Sequence, residues 1–67
     1  MTKFSGIRFR LTENQKKKIK EIYRDEDGIW CILEKGYCHS NNDDAGVIHC
    51  ETKQELRHEV KYIKKRK

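Results

Sequence analysis

The stretch YRDEDGIW, Tyr23–Trp30, decides how this chain folds. Asp25, Glu26 and Asp27 suit a type I turn, and Gly28 can take the left-handed conformation that closes such a turn with a bulge. The residues after it, IWCIL at 29–33, are β-branched and aromatic, which fits a strand. Side chains alternate along a strand, so Ile29, Cys31 and Leu33 share one face while Trp30 and Ile32 share the other. Both faces are apolar, which predicts a central strand or one covered on both sides.

The arm before the turn is less decided. Thr12 and Gln15 form a capping-box pattern, followed by good helix formers. As a helix, residues 12–24 carry a narrow stripe of Ile19, Ile22 and Tyr23. As a strand, Ile19 and Tyr23 face one side and Ile22 the other. The hairpin signal favours a turn or short helical turn at 12–17 and a strand from about 18 to 24. Further out, FSGIRFRL at 4–11 alternates: Ile7, Phe9 and Leu11 point one way, Arg8 and Arg10 the other. That is the pattern of a half-buried strand with a basic outer face.

Beyond the hairpin, Gly36 marks a second turn, SNNDDAG at 40–46 reads as a polar loop, and VIHCE at 47–51 as the last strand. The segment TKQELRHEVKYIKKRK, 52–67, predicts a helix over 53–64, with Thr52 as N-cap and Glu55 completing the box. Leu56, Val60 and Ile63 recur as its buried stripe. The expected fold is α+β: an antiparallel sheet of three or four strands packed against one C-terminal amphipathic helix. Residues 1–67 are read as a single small domain with a frayed basic tail at about 64–67. If 12–24 is helical, the order becomes β-α-β-β-α.

Length and composition bound the function. A domain of 67 residues has a thin core and little room for a deep pocket. The net charge of +5 hides three blocks: +6 over 1–24, −6 over 25–51 and +5 over 52–67. No apolar run is long enough for a membrane span or a signal peptide, so no membrane partner and a cytoplasmic location are expected. The odd count of three cysteines fits that compartment better than a disulfide framework.

One pattern suggests chemistry. Cys38-His39 and His49-Cys50 flank the loop 40–48 almost symmetrically. If they pair across it, the cysteines share one face and the histidines the other, so four ligands do not converge on one metal. No metal and no cofactor are therefore expected. No glycine-rich phosphate loop or calcium-loop register occurs, and nothing fixes a Cys-His-acid trio, so an enzyme is not expected.

Two binding readings remain. The first is nucleic acid, met through Arg8, Arg10, Lys16, Lys17, Lys18, Lys20, Arg57, Lys61 and Lys64, with Lys53 beside them. Arg57, Lys61 and Lys64 fall on one face of the expected helix, where they can meet phosphates without reading sequence. Trp30 could stack on an unpaired base. The second is a protein partner with a basic surface, docked by acidic loops carrying Asp25, Glu26, Asp27, Asp43 and Asp44. Turn chemistry alone also accounts for those acids.

Overall fold

A computed structural model describes residues 2–41 and 46–66. The fold is α+β, with a C-terminal helix packed on a sheet. Its first three elements are β1 (Lys3–Ser5), α1 (Glu13–Lys18) and β2 (Ile19–Asp25). The chain then turns into β3 (Gly28–Leu33), followed by β4 (Tyr37–His39) and β5 (Val47–Cys50). It ends with α2 (Lys53–Glu59), a 3-10 turn at Val60–Tyr62 and β6 (Ile63–Lys65).

The hairpin forms where expected. Asp25 pairs with Gly28 and the turn is Glu26-Asp27. Gly28 has φ +130°, and a Cβ there would lie 2.7 Å from the Cys50 carbonyl oxygen, so the site needs glycine on two counts. Asp25 Oδ1 accepts the Asp27 N–H at 2.9 Å and the Trp30 indole N–H at 3.0 Å. His49 Nε2 donates to the Asp27 carbonyl at 2.8 Å and so ties the turn to β5.

The ambiguity over 12–24 resolves into both readings in series. Thr12 and Gln15 make the reciprocal capping box, α1 runs one and a half turns, and β2 begins at Ile19. A register shift between Ile19 and Glu21 places Lys20 as an extra residue against β3. This bulge lets Ile19 and Ile22, three apart, both face the core and be fully buried.

The main sheet has the order β1-β2-β3-β5. The antiparallel pairing expected of it holds for β2, β3 and β5, while β1 adds to β2 in parallel. β3 is central, as its two apolar faces imply. Its Ile29, Cys31 and Leu33 face the core, and Trp30 and Ile32 are half-buried on the other side.

Four expectations are corrected. Residues 7–11 keep their alternation of exposure but join no ladder; the first strand is instead the short Lys3–Ser5. The Cys38–Cys50 and His39–His49 pairing does not form. β4 pairs with β6 and β5 with β3, because β3 offers a long edge matching Ile48 and Cys50. The helix over 53–64 stops at Glu59, with a 3-10 turn after it. Ile63 is still buried beside Leu56 and Val60, but it reaches the core from β6, where the backbone satisfies β4 rather than its own helix. At the other helix end, Thr52 Oγ1 accepts from the Glu55 N–H, but Glu55 Oε2 accepts from Glu51, so the box is not reciprocal.

Candidate nucleic-acid interface

The segment 7–11 positions the site. Ile7, Phe9 and Leu11 pack inward, which turns Arg8 and Arg10 outward beside α2. α2 lies over β3 and β5 with Leu56 fully buried, which leaves Lys53 and Arg57 facing that segment. Between them runs a groove of about 460 Å³ lined by Arg8, Arg10, Lys16, Lys53 and Arg57, with Phe4, Phe9 and Leu11. Five cationic side chains thus meet around one depression whose lining holds no carboxylate.

The cations are held in different ways. The Arg57 guanidinium carbon lies 5.0 Å from the Phe9 ring centroid, a cation–π contact that holds the group without using its donors. Lys16 pairs with Glu13 at 3.5 Å, an exposed i,i+3 contact of little strength. Among the described residues, Arg8, Arg10, Lys53 and Arg57 form no ion pair. Four cations with unused donors, close together and facing solvent, repel one another and favour an anion between them.

A second depression of about 350 Å³ continues the groove toward the C-terminal end of α2. It shares Phe9, Arg10, Leu11 and Arg57 with the first, and adds Thr12, Gln15, Val60 and Lys61. The groove therefore joins the two basic segments of the sequence and extends to Lys61.

Other expected residues lie elsewhere. Lys17, Lys18 and Lys20 line neither depression; Lys18 lends its carbonyl to the Glu34 N–H at 2.9 Å. Lys64 leaves the helix face because the helix has ended; it stands in β6 opposite Cys38. Trp30 is on the far face of the sheet, between Tyr23 at 6.4 Å and His49 at 4.3 Å between ring centroids. It is remote from the cations because alternation along β3 sends it away from α2. Of the acidic loops, Asp25 already holds Trp30 and Asp27, whereas Glu26 and Asp27 are exposed at the turn. Asp43 and Asp44 lie outside the described residues.

Phe9, which the residue pattern assigned only to packing, and Phe4, to which it assigned no role, line the groove. The available signal was RFR at 8–10, an aromatic between two arginines. Lys53 acts with them at the start of α2.

The histidines and cysteines sit in structural settings. His39 Nε2 meets Glu59 Oε2 at 2.7 Å, and its Nδ1 accepts the Asn41 N–H at 3.1 Å. The Asn41 bond leaves the proton on Nε2, so the ring donates to Glu59 and clasps β4 to α2. Burial, aided by Cys50, pushes the Cys31 thiol up to about 12. Burial, with Glu55 and Glu59 adding to it, pushes Cys50 up to about 11. Thiols so protonated are poor nucleophiles and poor metal ligands near neutrality. Among the described residues, no three His, Cys, Asp or Glu side chains gather as a metal site.

No helix among the described residues is long and apolar enough to cross a membrane. Compared with protein-family models, curated proteins and solved structures, the chain matches none of them. The α+β fold and the geometry of the groove are therefore what the functional reading rests on.

Proposed function

We propose that this is a small non-enzymatic binding protein that grips nucleic-acid phosphates in the groove between residues 8–10 and α2. The supporting observation is the convergence of Arg8, Arg10, Lys16, Lys53 and Arg57 on one concave surface with no carboxylate in its lining. Arginine presents a planar fork that suits phosphate oxygens, and lysine adds charge with freely rotating donors. Such contacts fix position and affinity but read no sequence. The engaged ring of His39 and the protonated Cys31 and Cys50 support binding over catalysis. The burial of Cys31, Cys38 and Cys50 suits a reducing cytoplasm.

The test is a fluorescence titration with labelled oligonucleotides from low to physiological salt. Four or five phosphate contacts give a log K against log salt slope of about −2.8 to −3.5 on single strands. Between 50 and 200 mM salt the affinity then falls roughly 50–130-fold. Changing Arg10 and Arg57 to Gln removes two contacts and flattens the slope by about 1.4, alike for all sequences. No binding at low salt, or a slope near zero, would sink the reading.

A further inference from the structure

The second depression differs from the first in a way that phosphate binding does not require. Its floor is apolar, made by Phe9, Leu11 and Val60, and its rim carries Thr12 and Gln15. Its volume of about 350 Å³ falls at the small end of ligand pockets, which run roughly 300–1,000 Å³. Arg10 and Arg57 form the wall common to both depressions, so a phosphate held by them has its neighbouring group directed at this floor.

The rim has a definite polarity. Gln15 Oε1 accepts the Thr12 N–H at 3.0 Å, and Thr12 Oγ1 accepts the Gln15 N–H at 3.2 Å. The capping box thus uses one lone pair of each oxygen and fixes both side chains. Among the described residues, the Gln15 amide N–H groups and the Thr12 hydroxyl hydrogen make no bond, so the rim offers donors beside the one lone pair left on each oxygen. The Arg57 guanidinium carbon lies over the Phe9 ring, and a guanidinium is a planar cation on which a base can stack. An apolar floor, a planar cation and a rim of donors beside a phosphate grip suit one kind of group. It is flat, apolar on its faces, bears carbonyl acceptors on its edge, and hangs from a sugar–phosphate chain.

Resting on the phosphate reading above, we infer that the pocket between residues 9–15 and Val60 takes one unpaired, carbonyl-bearing base, such as uracil, thymine or guanine, from a single strand. A duplex keeps its bases stacked and paired, so it engages the cations alone. The protein is then a single-strand binder, with the phosphate lying between Arg10 and Arg57 and the base over Phe9 and Val60.

The experiment compares three labelled strands of equal length at one salt concentration: oligouridine, oligothymidine and an abasic sugar–phosphate chain. One stacked and hydrogen-bonded base gives about a tenfold preference for a base-bearing strand over the abasic one. Gln15→Glu keeps the oxygen that caps α1 and removes the donating amide. Its added charge weakens all three strands together, so the ratio isolates the base. The variant, with an unchanged melting curve, should cut the tenfold ratio at least threefold. Equal binding of base-bearing and abasic strands, or a ratio unmoved by Gln15→Glu, overturns the base pocket while leaving the phosphate grip standing. No binding of any strand, abasic included, overturns both.

Discussion

Replacing Gly28 with Ala tests the hairpin that organises the sheet. Two separate costs meet at this residue. The backbone sits at φ +130°, which side-chain-bearing residues rarely adopt, at a cost of roughly 1–3 kcal/mol. The new Cβ would also stand 2.7 Å from the Cys50 carbonyl oxygen and 2.9 Å from His49 Nε2. The imidazole can swing aside, at the loss of its bond to Asp27. The carbonyl belongs to the backbone of β5 and cannot move without disturbing the β3–β5 ladder, so overpacking adds about 1–3 kcal/mol. A domain of 67 residues has about 3–10 kcal/mol of stability in all, and the combined loss of about 2–6 is a large share of it. Gly36 separates the two costs. Its φ is +93°, yet nothing lies within 4 Å of the Cβ position, so Gly36→Ala carries the backbone cost alone. In urea melts followed by circular dichroism, Gly28→Ala should lose clearly more stability than Gly36→Ala. Adding His49→Ala to Gly28→Ala should recover little, because the carbonyl contact remains. Equal midpoints for the two glycine variants would refute the argument from close approach, and a wild-type midpoint for Gly28→Ala would refute it entirely.

Leu56 is fully buried beneath α2, so Leu56→Ala should cost roughly 2–5 kcal/mol, and a thermal melt unchanged by it would remove Leu56 from the core. The cysteines set a pH dependence at the alkaline end. With the folded values near 12 for Cys31 and 11 for Cys50, above the ordinary 9.0, the unfolded chain releases these protons first. Their contribution is fully present below about pH 9 and is lost as pH rises through the folded values. The urea midpoint should therefore fall above pH 9, and a Cys31→Val, Cys50→Val variant should fall less steeply; equal slopes would contradict the assignment. At pH 8 a thiol reagent should modify Cys31 and Cys50 only in step with unfolding.

What the residues disclosed follows from the range of the interactions involved. The turn at 25–28, the capping box of Thr12 and Gln15 and the burial of Leu56 and Val60 are set by neighbours a few residues apart, and each is where the pattern put it, whereas Ile63 is buried from β6 rather than from the helix. β1 was not legible. It is three residues, KFS, with two of them exposed, and no alternation of apolar side chains announces it. It is held by its ladder to β2 and by the buried Thr2 hydroxyl, which donates to the Ile19 carbonyl at 2.8 Å. β6 was hidden for a related reason. Ile63–Lys65 looks like a basic helix end, and only the open edge of β4 makes it a strand.

The groove shows the same division within a single site. Arg8, Arg10 and Arg57 could be chosen from charge alone, and so could Lys17, Lys18, Lys20 and Lys64, which line neither depression. Charge density along the chain does not separate the two sets. The separation comes from which side of each element faces the core. Phe9 is partly buried, so Arg8 and Arg10 turn outward together; Leu56 is buried, so Lys53 and Arg57 emerge on the flank of α2 nearest that segment. The same alternation sends Trp30 through the sheet to the far face, with Tyr23 and His49. A stacking role for Trp30 would therefore require a strand to pass around the molecule, whereas Phe9 and Arg57 already stand in the groove. The aromatic that matters to the proposed site is thus the one between two arginines, and its partial burial is what aims them.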